Sequence, residues 1–337
     1  MATVSTLEGP IETELEAHRR ALTGYCYRML GSPSEAEDAV QETMVRAWRG
    51  ADRLLARAAL KGWLYRIAQN VCFDMLASAQ RRAQPMDMGP ASPANAALGT
   101  VIGEEAWVQP IPDARVLAPG ADPAAVAEAR DTLRLAFVAA LQHLPPRQRA
   151  VLVLCEVLRW QASEVAELLD SSVASVNSAL QRARATLAAL DLRPGDGAGV
   201  DAEEQALVAR YVDAFERYDI TALVALLRDD AQFSMPPFGV WVRGPEEVLR
   251  FMRGTGAKCE NSRLLTTQAN GGPAVAIYNA ADDGGWDPWA IVVLELSGGQ
   301  IVGLHHFIFP ALFAAFGLPA RIEPEDLGHP NELCQPA

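Results

Sequence analysis

The chain has 337 residues, half of them hydrophobic, and a net charge of −13 from 42 acidic against 29 basic side chains. It is too long for one ordinary domain and apolar enough for two or three cores, and so negative a charge argues against non-specific nucleic-acid binding by the chain as a whole. With no apolar run near the ~18 residues of a membrane span, no apolar signal core at the N-terminus, and five scattered cysteines (Cys26, Cys72, Cys155, Cys259, Cys334) not spaced as metal ligands, the expectation is a cytoplasmic, multidomain protein without metal, cofactor or membrane contact.

The acidity is uneven. Residues 12–82 and 130–193 each carry a net +2, whereas 83–129 carry −5 and 201–337 carry −10. The two slightly basic stretches remain free to meet phosphates, and their small surplus predicts weak DNA binding by the isolated protein.

In SPSEAEDAVQETMVRAW, Ser34 and Glu37 have capping-box spacing and predict a helix start. Ala36, Ala39, Val40, Thr43, Met44 and Ala47 recur at helical spacing, leaving Asp38, Gln41, Glu42, Arg46 and Arg49 on the opposite face, which on periodicity alone is a solvated one. A second helix over 61–76 is expected to bury Leu64, Ile67, Val71 and Met75 and to turn Trp63, Arg66, Asn70, Phe73 and Asp74 the other way. Rings beside guanidinium and amide groups suit unpaired bases, with Arg81 and Arg82 as phosphate contacts. The same rings suit a bundle core, the favoured place for Tyr65 and Phe73, while Trp63 is the better candidate for an exposed role.

After Arg82 the composition turns to Pro, Ala and Gly with little periodicity, and 83–128 reads as an extended acidic linker. A helix over 147–158 follows Pro145-Pro146, then a short helix capped by Ser163, a turn at Asp170-Ser171-Ser172 and a last helix. Val173, Val176, Leu180, Ala183 and Leu187 are expected to pack inward. The outward face is Ala174, Ser175, Ser178, Gln181, Arg182 and Ala185, begun by Ser172 and flanked by Asn177 and Arg184. Small and amide side chains followed by arginines suit a helix lying in the major groove, although such a helix pair can also be purely structural.

A shorter break at 191–204 leads to a mixed pattern: helices at 204–218 and 220–228, a strand near 230–235, a helix after Gly244-Pro245, and the apolar runs AVAIYNA, WAIVVLEL and IVGLHHFIF. The terminal stretch 321–337 reads as a flexible tail.

Taken together, these motifs resemble the extracytoplasmic-function (ECF) sigma factors of the sigma-70 family. DAVQETMVRAW resembles region 2.2, which grips the clamp helices of core RNA polymerase, and the resemblance assigns Asp38, Gln41, Glu42 and Arg46 to that contact. WLYRIAQNVCFDML resembles regions 2.3 and 2.4, implying that Trp63, Arg66, Asn70, Asp74, Arg81 and Arg82 meet the −10 element. LPPRQRAVLVLCEVLRWQASEVAELLDSSVASVNSALQRAR resembles region 4, implying −35 contacts by Ser172, Ala174, Ser175, Asn177, Ser178, Gln181, Arg182 and Arg184. The resemblance also implies a linker that threads toward the polymerase cleft.

The C-terminal third resembles the SnoaL-like polyketide cyclase branch of the nuclear-transport-factor-2-like fold, a cone with an internal cavity. Tyr211, Trp241, Trp289, His305 and His306 are the cavity candidates, of which strand alternation admits only one of the two histidines. Asp213 and Asp287 are candidate bases outside any specific motif, and no catalytic residue is assigned.

The expected architecture is two all-α modules, a helical bundle (12–82) and a helix-turn-helix (129–192), followed by an α+β cone-shaped domain (204–320). The expected function is promoter-specific initiation with core RNA polymerase and promoter DNA as partners. The C-terminal domain would regulate in cis, with an anti-sigma protein or a small-molecule ligand as further candidate partners. The alternatives are a polyketide-cyclase-like enzyme or ligand sensor fused to a DNA-binding regulator, and a conventional repressor.

Overall fold

The computed structural model describes residues 11–54, 56, 59–77, 81–118, 120, 122–190 and 202–328. Most of the expected break at 191–204 and the last nine residues of the expected tail lie outside them. The chain divides into two compact units: residues up to Arg82 with Arg115–Gly120 and Ala136–Leu192, and Ala83–Ala114 with Ala121–Leu135 and everything from Arg193 on.

The first unit is helical. Helices α1 (Ile11–Leu30), α2 (Pro33–Gly50) and α3 (Leu60–Leu76) form a bundle. The cap of α2 is Ser32, not the expected Ser34: Pro33, with no N–H and φ preset, occupies the first helical position, and Ser32 accepts from the Glu35 N–H at 3.4 Å. The buried face of α2 is Ala36, Ala39, Val40, Thr43 and Ala47, with Met44 half-buried. In α3 the buried set is Leu60, Leu64, Tyr65, Ala68, Gln69, Val71 and Cys72, while Ile67 and Met75 are only half-buried. The expected stripe is rotated because α3 packs against α1 and α2 on one side and against later helices on the other.

Along the middle of the chain lie α4 (Pro85–Met88), α5 (Asp113–Val116), α6 (Pro123–Asp131) and α7 (Leu135–Leu141). Then α8 (Pro146–Leu152) runs into a π-helical turn at Val153–Val157, followed by α9 (Ala162–Leu168) and α10 (Val173–Ala188). Gln161 and Glu164 form the capping box of α9, displacing the expected Ser163. Asp170, at φ 46°, makes the turn into α10, where Ser172 caps the Ser175 N–H at 3.2 Å. Val176, Ala179 and Ala183 are buried, but Val173 is 44% exposed: it lies in the first turn, beyond the reach of the packed helices.

The joint between the bundle and the helix-turn-helix is a buried guanidinium. Arg149, 4% exposed, donates to the carbonyls of Met29, Gln142 (3.3 Å) and Leu144 (3.1 Å) and to Gln142 Oε1 (2.6 Å). Burial draws its pKa down to about 10, so it keeps its charge at neutral pH, and these oxygens replace the lost water.

The second unit is a six-stranded mixed sheet over helices α11 (Ala202–Glu216), α12 (Ile220–Val224) and α13 (Pro245–Arg253), with α14 (Leu312–Ala315) after it. Its strands are β1 (Leu227–Ser234), β2 (Trp241–Arg243), β3 (Arg263–Ala269), β4 (Gly272–Ala280), β5 (Trp286–Ser297) and β6 (Gln300–Phe307), in the order β2-β1-β6-β5-β4-β3. Only β1 and β6 pair in parallel. The second helix ends earlier than expected, at Val224, because β1 begins at Leu227. Leu207, Tyr211 and Phe215 of α11 and Phe251 of α13 pack on Phe233, Val292 and Leu304 of the sheet's inner face.

Most of the stretch expected as an extended linker, 83–114 and 122–128, is instead a strap that belongs to this second unit. Ser92 N–H donates to Trp241 O (2.7 Å), Trp241 Nε1 to Gly89 O (3.0 Å), Ala94 N–H to Glu247 Oε2 (2.9 Å) and Ile102 N–H to Pro237 O (3.0 Å). Farther along, the strap meets the tip of the β3–β4 hairpin, whose Asn270 and Gly271 have φ of 55° and 79°, the signature of a tight Asn-Gly turn. Asn270 Oδ1 accepts from Ile111 N–H (3.0 Å), its Nδ2 donates to Leu133 O (2.8 Å), and Gly271 N–H donates to Asp113 Oδ1 (2.7 Å). A Cβ on Gly271 would stand 2.7 Å from the Arg130 backbone, so α6 can lie there only over a glycine. Trp107, Val108 and Ile111 are buried, which is what an apolar residue every few positions contributes in a segment without periodicity.

Candidate polymerase and nucleic-acid surfaces

On α2, Asp38, Gln41 and Arg46 are exposed and Glu42 half-buried, on the face opposite the buried stripe. Glu42 pairs with Arg46 at 2.7 Å, and Arg46 reaches Asp74 of α3 at 3.7 Å. Trp48 continues this face two turns beyond Gln41 and is 59% exposed, its Nε1 donating to Glu12 Oε1 of α1 at 3.2 Å; it is an aromatic ring that sequence reasoning passed over and that its i, i+3, i+10 relation to Asp38 and Gln41 could have shown.

The expected −10 residues fall into two groups. Asn70 and Asp74 are exposed, and Trp63 is half-buried with its ring 3.2 Å from where a Gly50 Cβ would lie. Arg66 is exposed but engaged: its Nη2 donates to the carbonyl of Glu167 in α9 at 2.9 Å. Beside it the buried ring of Tyr65 lies 5.1 Å from that of Trp160, and Lys61 sits 5.3 Å over the same indole. Of the two terminal arginines, Arg81 is exposed with its Nη2 2.8 Å from His143 Nε2, while Arg82 is 6% exposed and paired with Glu35 at 2.6 Å. Arg82 therefore does not fit the expected phosphate contact, since Glu35 has already neutralised it inside the bundle.

On α10, Ser172, Ala174, Ser175, Asn177, Ser178, Gln181, Arg182 and Arg184 are all exposed, forming a continuous outer face. Arg184 is tied to Glu156, whereas Arg182 has no ion pair among the described residues. Amides and hydroxyls lead and arginines trail, an arrangement that can read base edges and hold phosphates.

The second unit encloses a cavity of about 290 Å³. Phe215, Phe233, Phe251 and Trp289 form much of its wall, and Leu98 of the strap lines it as well. His306 lies in that wall, 2% exposed, with its ring centroid 4.4 Å from that of Phe233, and burial pushes its pKa down to about 3. Strand alternation sends His305 to the other face, where Nδ1 meets Ser234 Oγ at 2.9 Å. Trp241 pairs with Ser234 and shares that outer face, and Tyr211 is buried in the core, so of the expected cavity residues only Trp289 and His306 line it. The candidate bases are elsewhere: Asp213 and Asp287 are both exposed, paired with Arg217 and Arg321. Phe233 and Met235, two apart at the end of β1 and just beyond it, were the available sequence signal for the wall.

Three family models match the chain: "Sigma-70 region 2" over residues 15–82, "Sigma-70, region 4" over 134–187 and "SnoaL-like domain" over 208–304. ECF RNA polymerase sigma factor SigG of Mycobacterium tuberculosis is 39% identical over 320 residues, covering 92% of this chain and 84% of that one. SigJ of the same organism is 30% identical over 250 residues, covering 72% of each. The crystal structure of M. tuberculosis SigJ superposes with a TM-score of 0.59 at 23% identity, covering 90% of this chain and 98% of that one, a likeness of fold.

Proposed function

The chain belongs to the ECF sigma factors of the sigma-70 family, which bind core RNA polymerase and promoter DNA, and from that premise we propose how its residues divide the work. The exposed face of α2, with Asp38, Gln41, Glu42, Arg46 and the ring of Trp48, meets the polymerase. Trp63, Arg66, Asn70 and Asp74 take unpaired −10 bases, with Arg81 on the backbone. The outer face of α10 takes the −35 element. The protein performs no chemistry itself and works in the cytoplasm beside the polymerase. The observation that carries the −35 reading is the unbroken exposure of Ser172 to Arg184 along one helix face.

In the free protein the −10 face is partly occupied by the chain's own helix-turn-helix, through Arg66 on Glu167 and Tyr65 on Trp160. We read this as a closed state that polymerase and promoter open, since a ligand shifts such an equilibrium by its preference for one state. Regulation in cis then has a physical route, because the chain between the two sigma modules is the strap bound on the SnoaL-like unit.

Two experiments in the full chain test these readings. Arg182→Ala should weaken holoenzyme binding to a −35-containing promoter about tenfold and relax base preference there; unchanged affinity and preference would remove α10 from the promoter. Asn270→Gly keeps the positive φ but loses the side chain that holds Ile111 and Leu133, and it should change transcript yield in vitro with start sites unchanged. An unaltered yield would sink regulation through the strap.

A further inference from the structure

The start of α10 is fixed by its cap. Ser172 accepts from the Ser175 N–H at 3.2 Å, which makes Val173 the first residue of the helix, and its isopropyl group is 44% exposed. Among the described residues the large, exposed apolar side chains are Trp48, Met88, Val101 and Val173, and of these Val173 lies on α10. One exposed apolar side chain is ordinary on a protein surface. Its position makes this one informative, because it leads the helix whose outer face is Ala174, Ser178 and Gln181, with exposed Asn177 one turn on along its own side.

Valine has few uses at a nucleic-acid surface. It has no donor for a phosphate, and pressing it against one would strip water from the anion without replacement. Nor can it give or accept a hydrogen bond at a base edge. In the major groove, thymine presents an apolar group, its C5 methyl, whereas cytosine at the same place presents a bare C5–H. The rest of α10 carries Arg182 and Arg184 and no carboxylate, so the helix is complementary in charge to a phosphate backbone. The first turn of a helix lying in the groove is the part that reaches the base edges.

We infer that Val173 is a specificity residue of α10, reading one thymine of the −35 element through its C5 methyl. The inference rests on the reading of α10 as the −35 helix and deepens it. Ser175, Asn177 and Gln181 can discriminate by hydrogen bonds, and Val173 adds a distinction between thymine and cytosine that hydrogen bonding to it cannot supply.

The test uses holoenzyme and a duplex carrying the −35 element of a promoter it transcribes. Each thymine of that element is replaced in turn by deoxyuridine, which pairs identically and lacks only the methyl, and affinity is read by fluorescence anisotropy. The native chain should lose about fourfold at one thymine, as expected for one apolar carbon returned to water. Val173→Ala, a change that favours the helix, should bind the unmodified duplex about fourfold more weakly. It should lose nothing further at that thymine, while its other deoxyuridine penalties match those of the native chain. The proposal is overturned if no thymine is sensitive in the native chain or if the penalty survives unchanged in Val173→Ala. It is overturned equally if Val173→Ala weakens assembly with core polymerase and leaves the duplex profile as it was, which would assign the side chain to a protein contact. Arg182→Ala separates this failure from that of the wider reading. If that variant binds as the native chain does, α10 is off the promoter altogether; if it binds more weakly while no thymine is coupled to Val173, the methyl contact alone is lost.

Discussion

Two segments of this chain are docked onto helices or strands distant in sequence, and they are held in opposite ways. The helix-turn-helix module meets the bundle around one hub: Arg149 with Gln142 on the end of α1, flanked by His143 beside Arg81 and by Trp160 and Glu167 on α3. The strap is held by many anchors, spread from Gly89 to Leu133 and shared among Trp241, Glu247, Asn270 and Gly271. A joint centred on one buried cation loses most when that cation is removed, whereas a distributed one weakens by degrees. That suits the closed state proposed above, in which polymerase and promoter part the sigma modules, and a connecting segment that is released by degrees.

The strongest way to break the comparison is Arg149→Met. It strips the donor from three buried carbonyls at once and should cost about 3 kcal/mol in urea unfolding. A loss below about 1 kcal/mol would mean that apolar packing, not the guanidinium, holds the sigma modules together.

A smaller effect sharpens the other side. Asp113, 5% exposed, is pushed up to about pKa 6 by burial, against the ordinary 3.8. Its folded form therefore holds its proton more tightly than the unfolded chain, so its contribution is fully present below about pH 4 and is lost as pH rises through 6. Between those values the native protein should lose on the order of 2 kcal/mol relative to Asp113→Asn, measured by thermal melts across the range. Parallel pH profiles for the two proteins would show that Asp113 is not buried against the hairpin.

The smallest effect is that of Trp160→Ala. It removes the ring between Tyr65 and Lys61 and should cost about 1 kcal/mol in stability. It should also raise the free chain's affinity for single-stranded −10 DNA about threefold, seen by fluorescence anisotropy. Equal affinity would place the −10 face outside the α3–α9 contact.

What was legible in the sequence was what periodicity encodes. The outer face of α10 follows from Val176 and Ala183 alone, and the order of helices and strands in the cone from alternating apolar runs. Caps were less legible, because Ser34 and Ser163 have the right chemistry while Pro33 and the Gln161–Glu164 pair decide the start. The strap was illegible, since its attachments are backbone groups meeting single side chains, and Trp107 or Ile111 carries no period. Arg81 and Arg82 look alike in sequence, and it is the position of Glu35 that draws Arg82 into the bundle while Arg81 stays exposed beside His143.

The strap also fixes a length. Of the described chain between α3 and α7, 83–114 and 122–135 go with the sheet and its hairpin, which leaves the sigma modules little slack there. Each residue peeled from Asn270 or Trp241 would add about 3.3 Å of reach. On the proposed reading, how far apart α3 and α10 can travel, and so which spacings between promoter elements they tolerate, becomes a matter of how much cord the cone lets out.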